Sequence, residues 1–345
     1  MSAATNISGK LAVMSNSGAT FGSGKLRYTA VPNWPTLPAG WTFVEVVGIA
    51  VDSRDRVFVF CRGEHPVMIF ERDGTFVGSW GEGIFVRPHG ITIGPSDEVW
   101  CTDDKGHSVC KFSPKGNRLL TLGTPGKPSD TGIVGMDYRT ITRPGPPFNM
   151  PTNLAIAPSG ALYVTDGYGN ARVHKFSADG KLLFSWGSAG DGPGQFNLPH
   201  GIAIDRRGRV YVADRENSRI QIFSPEGEFL AQWTDTGRPM QIFFDAAERA
   251  FVCDVGFRAG MFPFLAPPPA PLRGAYVSVF DLEGNLLSRW GGSDDPCAAG
   301  DFFAPHGICV DSQGGVYVGE VVMSAGGYQG KVPPTCHSLQ KFVPA

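Results

Sequence analysis

The stretch Pro199-His200-Gly201-Ile202-Ala203-Ile204, followed by a polar turn from Asp205 and then Val210-Tyr211-Val212-Ala213-Asp214, decides the fold. Both runs alternate apolar and small or polar residues, the period of a strand with one buried face. After Asn217-Ser218-Arg219 come a third run, Ile220-Gln221-Ile222-Phe223, a turn at Ser224-Pro225-Glu226-Gly227, and a fourth run ending at Trp233. The reading is four short antiparallel strands joined by hairpins.

The same unit recurs along the chain, from Val46 to Trp80, Pro88 to Leu122, Pro151 to Trp186, Leu198 to Trp233, Pro239 to Trp290 and Pro305 to Phe342. A Phe-x-x-x-Gly turn marks most copies, as in Phe112-Ser113-Pro114-Lys115-Gly116 and Phe280-Asp281-Leu282-Glu283-Gly284. One four-stranded sheet cannot bury both of its faces, so six of them stack in a ring: an all-β, six-bladed β-propeller. Leu26 to Trp34 is expected to supply the outer strand of the last blade and close the ring. The organisation expected is a disordered N-terminus over residues 1–25 and a single propeller domain over 26–345. Thr124 to Asn149 and Phe257 to Arg273 interrupt the period and read as loops over one face.

Composition narrows the function classes. The chain has 345 residues, 46 glycines and 28 prolines, which favours tight turns. A net charge of −2 offers no basic patch for nucleic acid. No apolar run approaches the roughly 20 residues that span a bilayer. Met1 to Lys25 lacks an apolar segment of signal-peptide length, and a cytoplasmic location is expected. Seven cysteines (Cys61, Cys101, Cys110, Cys253, Cys297, Cys309 and Cys336), an odd number without a C-x-x-C pair, read as reduced, buried thiols.

Pro-His-Gly occurs at Pro88-His89-Gly90, Pro199-His200-Gly201 and Pro305-His306-Gly307. The histidines at positions 89, 200 and 306 are 111 and 106 residues apart and open the first strand of units two, four and six. Val47, Thr152 and Met240 hold the matching places in units one, three and five. Innermost strands of alternate blades start about 120° apart around the axis, so the three imidazoles should face one another across the channel. A residue that merely packs the channel should recur in all six units. Three neutral imidazoles with an open fourth position are the donor set of a catalytic zinc site, or of another divalent ion. His65, His107, His174 and His337 share no such context; they are expected at surface or strand positions, His65 near the channel mouth.

Met150-Pro151-Thr152-Asn153, Asp166-Gly167-Tyr168-Gly169-Asn170, Pro193-Gly194-Gln195-Phe196 and Asp214-Arg215-Glu216-Asn217, together with the histidines, resemble peptidylglycine α-amidating lyase, a zinc-dependent NHL-repeat propeller. The resemblance spans roughly residues 40–342. It implies zinc ligands at His89, His200 and His306, a catalytic tyrosine at Tyr168, and active-site arginines at Arg215 and Arg62. Each of these last three closely follows the second strand of its unit. The family's structural calcium takes a carboxylate from the residue after the third histidine; here that residue is Gly307, so that ligand does not carry over, and backbone carbonyls near Ile49 and Ile91 are what is left to hold a weaker ion. The cysteines of the family's secreted members are also missing, for example at Gly169 and Val210.

The activity implied is cleavage of an N-substituted α-hydroxyglycine, a small-molecule or peptide-derived substrate, to an amide and glyoxylate. Zinc would favour the alkoxide of the hydroxyl. Tyr168 would take the proton, with zinc and arginine favouring its phenolate. An arginine, Arg62 or Arg215, would hold the carboxylate. Other small hydroxylated amides such as ureidoglycolate, hydrolysis by the same metal, and a non-catalytic NHL binding scaffold are the competing readings. A calcium-dependent propeller lactonase would need carboxylates where histidines stand. The sequence is silent on oligomeric state.

Overall fold

The computed structural model describes residues 19–257 and 274–345. Six antiparallel sheets follow one another along the chain, each with its first strand innermost. Blade one, for example, runs Val46–Val51, Val57–Cys61, Val67–Phe70 and Phe76–Trp80. Contacts between the first strands of successive blades, and between Pro305–Val310 and Val46–Val51, close the circle. The chain is a six-bladed β-propeller.

Burial follows distance from the axis. The second strand of every blade, such as Val57–Cys61 or Val210–Asp214, is buried along its whole length, because a blade packs on each of its faces. The outer strand Phe229–Trp233 is exposed except for Trp233. These end-of-blade tryptophans turn inward onto the next blade. A Cβ at Gly227, in the hairpin after buried Phe223, would stand 2.8 Å from the Trp186 ring, and its φ of +84° suits glycine alone.

Leu26–Ala30 pairs with Leu339–Pro344, Thr29 opposite Val343, and so supplies the fourth strand of the last blade as the sequence predicts. One difference appears beside it. Thr20–Ser23, inside the stretch expected to be unstructured, forms a fifth strand on Leu26–Ala30. The reason is the tight turn at Ser23-Gly24-Lys25-Leu26, which folds the chain back onto an edge that would otherwise be unpaired. Residues 1–18 lie outside the described residues, as does most of the insertion at 257–273.

A second difference concerns the cysteines. Cys297 and Cys336 form a disulfide, so the expectation of seven reduced thiols is corrected; Cys61, Cys101, Cys110, Cys253 and Cys309 are buried thiols. The paired cysteines lie on two loops, one before the first strand and one after the second strand of blade six, and no spacing rule links them. Among the described residues no helix is long and apolar enough to cross a membrane.

Two devices aim the inner strands. First, the second strand of blades two to six ends in a carboxylate that accepts backbone N–H groups just ahead of the first strand. Asp103 accepts from Val86 and Arg87, Asp166 from Asn149, Asp214 from Asn197, Asp254 from Gly237, and Glu320 from Phe303 and Ala304. Second, the first strands of blades one, two, four, five and six each carry one extra residue at their start. In blades two and six the extra residue is the histidine itself: Pro88 faces Asp103 and Gly90 faces Thr102, Pro305 faces Glu320 and Gly307 faces Gly319. A β-bulge re-aims its side chain, here towards the channel.

Candidate active site

His89, His200 and His306 meet on the axis. Their ring centroids are 4.7, 4.7 and 4.8 Å apart, a nearly equilateral triangle. One ring nitrogen from each lies within 4.8 Å of the others, and all three residues are buried.

The bulge is not the whole reason they converge. His89 Nδ1 lies 2.7 Å from Thr152 O, His200 Nδ1 2.7 Å from Met240 O, and His306 Nδ1 2.6 Å from Val47 O. A carbonyl only accepts, so each Nδ1 carries the proton and each Nε2 keeps its lone pair. The acceptors are the very positions that match the histidines in the odd blades. The glycine after each histidine lets the neighbouring blade come that close: a Cβ at Gly90 would stand 2.8 Å from Thr152 O, one at Gly201 2.5 Å from Met240 O, and one at Gly307 2.8 Å from Gly48 Cα. Gly307 therefore leaves no room for the carboxylate that a calcium site would need.

Burial, with the positive field of neighbouring histidines and arginines, pushes His89 and His200 well below the usual imidazole range and His306 down to about 3. Three neutral imidazoles, each oriented by a backbone carbonyl and sharing one buried point, fit a zinc-class divalent ion.

Tyr168 lies over this triangle. Its hydroxyl is 3.1 Å from His89 Nε2 and 3.4 Å from His200 Nε2, and Arg215 Nη1 donates to it at 3.5 Å. Tyr168 follows the second strand of blade three through Gly167, where a Cβ would strike Pro199 O at 2.0 Å; only glycine lets the turn pass the neighbouring strand. Arg62, Tyr168, Arg215 and His306 all line one cavity of about 550 Å³. The structure thus brings together every site residue the sequence nominates. Of the other histidines, His65 stacks on Trp41 and pairs with Glu82, outside that cavity, while His174 is buried between Asp166 and Ser185.

Further residues belong to the same constellation. The residue before the first inner position and the residue after the second strand are joined by backbone hydrogen bonds in five blades: Arg62 to Glu45, Asp104 to Arg87, Arg215 to Leu198, Val255 to Arg238 and Val321 to Ala304. They form a rim around the channel mouth. Glu45 accepts from Arg62 Nη1 at 2.7 Å. Arg87 grips buried Asp104 through Nε and Nη2. Glu216 accepts from Arg215 at 2.6 Å and from Arg238 at 2.7 Å. Burial opposes the charge on Arg215, yet Glu216 and Tyr168 hold its pKa above the ordinary value. The guanidiniums of Arg87 and Arg215 each lie 5.5 Å from the centroid of the Tyr168 ring. Sequence reasoning does not single out Arg87, although it shares with Arg238 the place directly before a proline. Apolar Leu198, Met240, Val255, Val321 and Ala325 line the same cavity, as do Met136 and Tyr138 of the Thr124–Asn149 insertion.

Comparison with known proteins agrees with this architecture. The NHL repeat profile matches residues 148–176 and 196–223. NHL repeat-containing protein 3 of Homo sapiens is 31% identical over 320 residues, covering 86% of this chain and 82% of that protein. Peptidyl-alpha-hydroxyglycine alpha-amidating lyase 1 of Drosophila melanogaster is 30% identical over 257 residues, 70% of this chain and 44% of that one. Peptidyl-glycine alpha-amidating monooxygenase of Mus musculus is 29% identical over 80% of this chain, which spans 29% of its length. Among solved structures, a streptogramin B lyase (TM-score 0.55, 13% identity, 91% of this chain and 97% of that one) and a gluconolactonase from Xanthomonas campestris (TM-score 0.58, 15% identity, 93% and 91%) share the fold. The chain belongs to the NHL-repeat propeller family that includes NHL repeat-containing protein 3 and the peptidyl-α-hydroxyglycine α-amidating lyases.

Proposed function

We propose that the protein is a zinc-class metal-dependent carbon–nitrogen lyase that splits an N-acyl-α-hydroxyglycine into the amide and glyoxylate. The observation that carries this reading is Tyr168, whose hydroxyl touches two of the three converging histidines while its ring is flanked by two arginines.

His89, His200 and His306 would hold the ion, which when bound supplies Lewis acidity at the substrate's hydroxyl oxygen. Tyr168, acting as the phenolate, would receive that hydroxyl proton on Oη. The C–N bond then breaks, the carbon keeping its oxygen as an aldehyde, and the same Oη returns the proton to the departing nitrogen. Arg215 steadies Oη through its 3.5 Å contact. The apolar residues Leu198, Met240, Val255 and Val321 in the cavity lining would suit an acyl group on the nitrogen.

The location is inferred from the disulfide. A bridge such as Cys297–Cys336 persists in oxidising compartments, which weighs against the cytoplasmic location expected from composition.

The test is metal content by plasma mass spectrometry together with glyoxylate release from an N-acyl-α-hydroxyglycine and from ureidoglycolate. About one zinc per chain and glyoxylate from the first substrate are expected, with both lost in His200→Ala and turnover alone lost in Tyr168→Phe. A zinc-loaded protein that releases no glyoxylate would sink the lyase reading and favour the scaffold.

A further inference from the structure

Arg62, Arg87 and Arg215 line the cavity together with Tyr168, and they differ in how fully each is already engaged. Arg215 has a side chain 4% exposed and is held by Glu216. Arg62, 15% exposed, spends Nε on Pro88 O and Nη1 on Glu45 and Ser324. Arg87 is the most open at 30%, with Nε and Nη2 both on Asp104. Among the described residues no hydrogen bond engages Nη1 of Arg87 or Nη2 of Arg62.

The base of Arg87 is also pinned. Its N–H donates to Asp103 at 2.9 Å and its carbonyl accepts from Asp104 at 3.3 Å. Arg62 reaches the same strand start through Pro88 O. The two arginines together line the cavity over the histidines and the adjoining cleft of about 270 Å³. The result is a two-cation corner with uncommitted N–H groups, in a cavity that apolar residues also line. A planar carboxylate, with two oxygens for two donors, is the group that fits it.

We propose that Arg87, gripped by Asp104, is a specificity-determining residue that receives the substrate's α-carboxylate together with Arg62, so that the site selects α-hydroxyglycine derivatives over carbinolamides lacking a carboxylate. This rests on the lyase reading above. It gives Arg215 a separate task at Tyr168, and it makes the carboxylate rather than the acyl group the main handle by which the substrate is oriented.

The experiment uses the zinc-loaded full chain and two substrates with one acyl group: the N-acyl-α-hydroxyglycine, and the N-hydroxymethyl amide, which releases formaldehyde instead of glyoxylate. The ratio of their kcat/KM values is compared in the wild type, Arg87→Gln and Arg87→Lys. Arg87→Gln is expected to lower that ratio about 10- to 100-fold, the worth of a charge-assisted hydrogen bond, chiefly through KM for the acid, with Arg87→Lys recovering part of it. Equal losses on both substrates would make Arg87 a structural residue and overturn the proposal. Should Arg87→Gln fail to fold, as circular dichroism would show, the ratio in Arg87→Lys decides, an unchanged ratio counting against the proposal. Calorimetric binding of the N-acylglycine, which has the carboxylate but no hydroxyl, reads the same corner without turnover. Weaker binding to Arg87→Gln with an inactive wild type would refute the lyase reading and keep the carboxylate seat; equal binding would refute the seat.

Discussion

His306 donates its Nδ1–H to the carbonyl oxygen of Val47 at 2.6 Å across 259 residues of sequence. That bond joins the last blade to the first, so one of the three candidate metal ligands also seals the ring. An ion that binds only the closed ring stabilises it by mass action, about 2.7 kcal/mol at a hundredfold excess over Kd. Chelation should therefore lower the melting temperature by about 5 °C. In His306→Ala the melting temperature should be lower from the start and should not respond to chelator. A chelator response that survives in His306→Ala would place the metal elsewhere.

Glu216 is a positioning residue shared by two buried cations, Arg215 and Arg238. Removing one partner of a buried ion pair typically costs about 3–5 kcal/mol, because the remaining charge keeps its desolvation cost. Glu216→Gln keeps the shape but loses the charge. Urea denaturation should show a loss of about 3 kcal/mol, and kcat should fall about tenfold or more with zinc content unchanged, since Arg215 would lose the carboxylate that aims it at Tyr168. Unchanged kcat in a destabilised variant would confine Glu216 to stability.

Asp254 caps blade five with only one oxygen engaged; Oδ2 has no hydrogen-bond partner among the described residues. Burial raises its pKa to about 7, against an unfolded value near 4. The folded state therefore binds the extra proton, and stability from this group falls as pH rises from about 4 to about 7. Asp254→Asn keeps the acceptor for Gly237 N–H and removes the charge. The variant should match the wild type near pH 4 and exceed it by about 2–4 kcal/mol above pH 7. Urea midpoints at pH 5 and pH 8 check this, and a gain that shrinks with rising pH would contradict it.

The Cys297–Cys336 bridge closes a loop of sequence separation 39 around the first two strands of blade six. Loop-closure entropy gives such a bridge about 4 kcal/mol at most, and 2–4 is typical. Reduction, or Cys297→Ser with Cys336→Ser, should lower stability by that amount. The five remaining thiols are buried and should resist alkylation until the protein unfolds. Rapid labelling of more than two thiols in the reduced, folded protein would contradict the burial.

Much of the site was legible because a repeat makes position meaningful. Once Pro-His-Gly fell in alternate units, the convergence of His89, His200 and His306 followed from ring geometry. Leu26–Ala30 was legible as the closing strand for the same reason. What escaped were features that depend on contacts outside the repeat. Cys297 and Cys336 sit on loops with no counterpart in other blades. Thr20–Ser23 is short and polar, and becomes a strand only because an edge is available. Arg87 looked like an ordinary residue ahead of a proline; its role is visible only when Asp104 and the Tyr168 ring are seen around it.

The alternation of histidines and carbonyls around the channel divides the ring into two classes of freedom. At positions 89, 200 and 306 the side chain is specified, whereas at Val47, Thr152 and Met240 only the main chain is used to orient the imidazoles. The chemical dissimilarity of those three side chains is what such a rule permits. Met240 also faces the cavity, so the chain has a place where the shape of the pocket can drift, by evolution or by redesign, without disturbing the ligand set beneath it. A ring with an odd number of blades could not keep this alternation, which ties the usable chemistry of the channel to the blade count itself.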